Sequence, residues 1–136
     1  MSWFANEDFW KDMYDWLFRP ARFQSAKEEV ERIVTLSGIR SGNVLDLCCG
    51  PGRHAFEFAR LGFNVTAVDA SSFLLDKAKE LCSDLDNVEF VHADMRDFVR
   101  PNHFDLVINM FTSFGYFEDQ EENMKVLRNI KIEFEK

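Results

Sequence analysis

Val44-Leu-Asp-Leu-Cys-Cys-Gly-Pro-Gly-Arg53 decides how this chain is read. Asn43 to Leu47 is a short apolar run of the kind that forms a buried strand, and it carries an acid, Asp46, near its end. Gly50 and Gly52 then flank a proline, a turn signal that closes where a helical pattern begins at Arg53. An acid in a buried strand costs desolvation free energy unless it has a partner, so Asp46 is hard to explain as a plain turn residue.

Working downstream, Arg53 to Leu61 is predicted as a helix closed by Gly62, and Phe63 to Val68 as a second strand. The unit repeats, with Phe73 to Cys82 as helix and Val88 to His92 and Phe104 to Asn109 as strands. Upstream, Asn6 is placed to cap a helix in which Phe9, Trp10, Met13, Trp16 and Leu17 recur at helical spacing, ended by Arg19-Pro20. A second helix, Gln24 to Ser37, stops before Gly38. Strands separated by helix-length segments imply right-handed crossovers and a parallel, doubly wound α/β sheet. Ligands of such sheets sit at the carboxyl ends of the strands, where Asp46, Asp69, Asp94 and Asn109 stand.

Size and composition agree with one soluble domain over residues 1–136, with N-terminal helices in 1–40 and the core in 41–136. The chain is 46% hydrophobic, with 15 Phe, enough to bury one aromatic-rich core. A formal charge of -8 with scattered Lys and Arg disfavours a nucleic-acid partner, which needs a basic face. Cys48, Cys49 and Cys82 have neither the number for a disulfide framework nor the C-x-x-C spacing of a zinc site, so no metal is expected and the reducing cytoplasm is the expected compartment. Cys48 and Cys49 read as small buried residues, and His54, His92 and His103 as structural, since none has a triad partner at a telling spacing. Neither a leader nor a membrane-length apolar run is found.

The stretch VLDLCCGPGRH resembles the first motif of class I S-adenosylmethionine-dependent methyltransferases, an acid followed by a glycine cluster. VTAVDASSFLLDKA resembles their second-strand motif, VEFVHADMRDF the third and FDLVINMFTSFGYF the fourth, so the likeness covers roughly Val44 to Phe117. The resemblance implies a Rossmann-like sheet of about four strands in the order 3-2-1-4 with lid helices in front, S-adenosylmethionine as cofactor, and methyl transfer to a small-molecule acceptor. It assigns Gly50 and Gly52 to close approach of the methionine portion and Asp46 to the cofactor's amino group. Asp69 falls to the two ribose hydroxyls and Asp94 to the adenine amine, with Met95 beside the ring, Ala70 and Leu74 against its faces and Asn109 at the methionine end. Cys48 stands where the family has its first glycine, so the turn keeps its shape if that position needs no positive φ. Tyr14, Arg22 and Gln24 are candidates for the cofactor's carboxylate, against the alternative that the first helices only cover the sheet. No catalytic residue is singled out, because a sulfonium already activates its methyl group.

Gly50-Pro-Gly-Arg-His-Ala55 also satisfies the dinucleotide pattern G-x-G-x-x-A, with Asp69 near the place of its ribose acid. Electrostatics separates the two readings: Asp46 ahead of the loop repels a pyrophosphate and attracts an ammonium or sulfonium.

Against the family pattern, no Pro-Gly-Gly turn and no further strands follow the helix expected at Glu118 to Ile130, so a C-terminally truncated core is expected. Three consequences follow. The fourth strand becomes an apolar edge that a second copy could cover as a homodimer; Ile130, Ile132 and Phe134 alternate with charges as a strand does; and a non-catalytic cofactor-binding module stands as the alternative to an enzyme.

Overall fold

The computed structural model describes residues 6–109, together with Met124 and Arg128, both helical. The expected approach segment Met110 to Phe117, the rest of the helix expected at 118–130 and the alternating tail lie outside the described residues. The first helix, α1, is Glu7–Leu17, and the Asn6 side chain accepts from the amides of Asp8 and Phe9, which would otherwise lack partners. The second, α2, spans Pro20–Ser37 rather than starting at Gln24. Proline has no N–H to lose at a first helical position and its φ is preset there, so the residue that stops α1 also starts α2. Gly38 ends α2 at φ 74, returning its N–H to the Val34 carbonyl.

Then come β1 (Asn43–Leu47), α3 (Arg53–Arg60), β2 (Asn64–Asp69), α4 (Ser72–Leu81), β3 (Val88–His92) and β4 (Leu106–Ile108). The strands form one parallel sheet in the order β3-β2-β1-β4, as expected. β2 runs one residue further than expected, so Asp69 is its last residue, opposite His92 of β3. β4 is shorter than Phe104–Asn109 because its flanks serve other contacts. Phe104 packs into a core cluster with Leu45, Leu47, Val68, Met95 and Phe98, and the Asp105 carboxylate accepts from the Asn43 amide at 2.8 Å.

Both faces of the sheet are covered, which is why its strands are nearly continuous apolar runs. Val44, Val65 and Ala67 face a cluster with Val30, Phe58, Phe63 and Leu75, while Leu45, Leu47 and Val68 face the Phe98–Phe104 cluster. The alternation along β1 follows the two-residue period of a strand. It puts Asp46 on the first face, in the central strand, opposite Ala67 of β2 and Ile108 of β4.

Candidate functional site

Leaving β1, the backbone turns through three residues in the left-handed region, Cys48 at φ 62, Gly50 at φ 57 and Gly52 at φ 86. The condition under which a cysteine at position 48 would leave the turn unstrained, that it need no positive φ, is not met. Cys48 takes the conformation glycine would take, at a cost of about 1–2 kcal/mol from the clash of its Cβ with the carbonyl. Its Sγ lies 3.3 Å from Met95 Sδ, which fixes the side chain against the start of the turn after β3. Gly52 is needed for packing as well as for its φ, since a Cβ there would stand 2.9 Å from the Cβ of Ala78 on α4. A Cβ at Gly50 would stand 3.8 Å from the ring of Phe18, the residue that caps the end of α1.

Asp69 ties this loop to the next one. Its Oδ2 accepts from the Gly50 amide and its Oδ1 from the Ser71 amide, each at 2.8 Å. Burial raises its pKa, and those two amides oppose the rise. Asp69 is not the cap of α4; Ser71 is, accepting from the Leu74 amide at 3.1 Å.

Asp46 is 2% exposed and its Oδ2 has no hydrogen-bond partner among the described residues. Desolvation and then the nearby Asp69 charge push its pKa up to about 7, while Arg53 and the Ala55 amide act the other way. One residue past the paired Ile108, both polar atoms of the Asn109 amide are also buried and, among the described residues, without a partner. Two neighbouring strand ends thus present an unmatched carboxyl oxygen and an unmatched amide, an arrangement that suits a ligand bearing an ammonium group.

Sequence reasoning missed Arg53. The first residue of α3, it is 7% exposed, with its guanidinium 5.4 Å from the centre of the Phe18 ring. Burial and then Arg22 lower its pKa, while Glu29, Asp46 and Tyr14 counter them. The fold therefore gathers Tyr14 and Arg22 around Arg53, beside the glycine loop; Gln24 is exposed. The only signal in the sequence was a cation directly after Gly52.

The remaining candidates border the turns after β2 and β3. Ala70 is exposed and its carbonyl lies 2.9 Å from His92 Nε2, while Leu74 is buried on α4. Met95 is buried. Asp94 is engaged by its own turn: Oδ1 accepts from the Arg96 amide and Nε at 2.8 and 2.9 Å, and Oδ2 from Arg96 Nη2 at 2.6 Å. His54 is buried with its Nε2 3.2 Å from Glu29, and burial lowers its pKa. Burial also raises the Cys49 thiol well above its ordinary value, which keeps it un-ionised. Among the described residues, no group of three or more His, Cys, Asp or Glu is placed to hold a metal ion, and no helix is long and apolar enough to cross a membrane. A polar groove of about 240 Å³, lined by Asn43, Asn64, Glu89 and His103 among others, lies at the opposite, amino-terminal end of the strands.

Residues 44–131 match the family described as methyltransferase domain. The chain belongs to that family. The membership covers every motif quoted from the sequence and replaces the dinucleotide reading of the glycine loop. Among relatives, the cypemycin N-terminal methyltransferase of a Streptomyces species is 41% identical over 87 residues, which is 64% of this chain and 35% of that protein. The glycine/sarcosine N-methyltransferase of Aphanothece halophytica is 32% identical over 121 residues, 87% of this chain and 44% of that one. The chain therefore spans less than half the length of these two methyltransferases. The glycopeptide N-methyltransferase MtfA, solved with S-adenosylmethionine, has the same fold at a TM-score of 0.70 and 24% identity, over 81% of this chain and 50% of MtfA.

Proposed function

We propose that this methyltransferase-family chain binds S-adenosylmethionine at the carboxyl ends of β1 and β2 and transfers its methyl group to a small-molecule acceptor. The observation that carries this reading is the pair of acids at those ends. Asp69 is clamped by the Gly50 and Ser71 amides, and Asp46 has a buried oxygen without a donor among the described residues. A pyrophosphate at this loop would meet both acids. An amino-acid-bearing cation meets complementary charge.

In this reading Asp46 and Asn109 hold the ammonium, and the cation group of Arg53 and Arg22 faces the carboxylate. Each Asp69 oxygen keeps a second acceptor site for a ribose hydroxyl beside the amide it already accepts. Ala70 and Met95 border the adenine. Asp94 meets the adenine amine only by sharing oxygens that Arg96 already engages. Cys48, Gly50 and Gly52 set the path of the backbone past the methionine portion. The cofactor supplies an activated methyl on a sulfonium; the chain contributes proximity, orientation and exclusion of water. The relatives named for amine methylation make an amine nitrogen the first acceptor class to test.

Isothermal titration with S-adenosylmethionine, S-adenosylhomocysteine and NAD is the test. Micromolar binding of the first two, lost in Asp69→Ala, supports the reading, and tighter binding of NAD overturns it. A second copy covering the β4 edge belongs to the same proposal; sedimentation as a monomer at micromolar concentration would remove it. The second functional reading is binding without turnover. A binding-competent protein inert toward amine acceptors would establish it.

A further inference from the structure

The N-terminal helix lies across the candidate site, joined at both ends. Near its start, Glu7 Oε2 accepts from the Ser72 hydroxyl and from the Phe73 amide, each at 2.9 Å. These donors are the first residues of α4, directly after the turn that carries Asp69. Past its other end, the Phe18 ring lies against Gly50 and over the Arg53 guanidinium. Between the two, Tyr14 meets Phe73 edge-on at 5.7 Å, and Lys77 stands 5.2 Å from the Tyr14 ring centre and 5.6 Å from that of Phe73. Thus α1 runs from the loop after β2 to the loop after β1, the two loops that Asp69 itself links.

The chemistry at the Glu7 end is particular. Glu7 is the first residue of α1, so its charge sits between the amino-terminal ends of two helices, both carrying partial positive charge. Ser71 caps one amide of α4 from within, and Glu7 caps another from a different helix. Desolvation opposes ionisation of Glu7, but hydrogen bonds from Ser71, Phe73 and Ser72 outweigh it and leave its pKa below the ordinary glutamate value. The carboxylate is therefore ionised at neutral pH.

We infer that Glu7 is a positioning residue: by capping α4 from α1, it latches the aromatic helix over the two ligand-bearing loops and slows release of a ligand held beneath. The part about release rests on the proposed cofactor reading; the latch does not. Two of the chain's three tryptophans, Trp10 and Trp16, lie on α1, and Trp3→Phe leaves the fluorescence to this helix.

The test compares the unmodified chain with Glu7→Ala and Glu7→Gln by amide hydrogen exchange, tryptophan fluorescence quenching by acrylamide, and stopped-flow release of S-adenosylhomocysteine. In Glu7→Ala, exchange quickens over Phe9 to Leu17 and at Phe73, quenching rises, and release speeds up about tenfold, the size expected for hydrogen bonds to a charged acceptor. Glu7→Gln keeps an acceptor oxygen and recovers part of the slow release, which a merely structural loss would not do. Exchange over α1 unchanged in Glu7→Ala overturns the latch, and faster exchange with an unchanged release rate overturns its role in holding the ligand. If the unmodified chain binds no S-adenosylhomocysteine, the cofactor reading fails, and the exchange and quenching comparison still decides the latch.

Discussion

Asp69 Oδ2 accepts from the Gly50 amide at 2.8 Å, so the carboxylate at the end of β2 holds the loop that follows β1. The same side chain is then part of the frame and, in the proposed reading, part of the surface that faces the cofactor. Asp69→Ala leaves the part-buried amide of Gly50 and the buried amide of Ser71 without their acceptor, at about 1–3 kcal/mol each, so the melting temperature should fall as well as cofactor affinity. Asp69→Asn keeps one carbonyl acceptor. It should preserve most of the stability while weakening S-adenosylmethionine binding about 100-fold, as read by calorimetry beside thermal denaturation.

Asp46 makes stability fall as pH rises. Its folded pKa of about 7 exceeds the unfolded value of 3.8, so between these values the native state binds more protons than the unfolded chain. The linkage slope is negative through that window, and the loss reaches on the order of 4 kcal/mol by pH 8. Asp69, also raised, acts in the same direction. Asp46→Asn should flatten the profile, so that variant and parent differ most at pH 8 and converge near pH 4 in denaturant titrations. Cofactor affinity should move oppositely, rising with pH through neutrality as the ionised carboxylate becomes available to the ammonium. Calorimetry in buffers of different ionisation enthalpy would register the proton released.

Cys48→Gly should stabilise the chain. The left-handed φ of 62 costs a cysteine about 1–2 kcal/mol, of which glycine returns part to the greater freedom of the unfolded chain, for a net gain of about 0.5–1 kcal/mol. Cys48→Val, branched at Cβ, should lose about 2 kcal/mol or more. Urea midpoints of the two variants, measured with the parent, decide the matter; a destabilised glycine variant would show that the Met95 contact outweighs the backbone strain.

Gly52→Ala should cost about 2–4 kcal/mol, combining a left-handed φ of 86 with a new Cβ 2.9 Å from the Cβ of Ala78. Ala78→Gly in the same chain relieves that contact but leaves the Cα at 3.1 Å, so rescue should be partial. A double-mutant cycle in denaturant measures the coupling, and strict additivity would contradict a packing role for Gly52.

The candidate residues that could be read from the sequence are those whose position along a strand already determines where they point. Asp46 and Asp69 announced themselves as acids at the ends of apolar runs, and the parallel order of the strands brought those ends together. What could not be read depends on a residue remote in sequence. Nothing local says that Glu7 reaches Phe73, or that Tyr14 and Arg22 gather at Arg53. The φ of Cys48 was hidden because residue type argues against it, and only the surrounding turn enforces it. β4 was read too long because hydrophobicity alone cannot distinguish a ladder residue from Phe104, which is buried beside the ladder, or foresee that Asp105 would be drawn to Asn43.

The hydrogen bond between Asp69 and Gly50 lies wholly inside one strand–helix–strand unit, Asn43 to Asp69. Its two partners are joined by a single short helix, and the clamp makes no use of the later strands. Such a unit is a self-contained frame for the glycine loop. In the proposed cofactor reading it is portable from one parallel sheet to another, with segments appended at its borders changing what receives the methyl group while the loop keeps its shape.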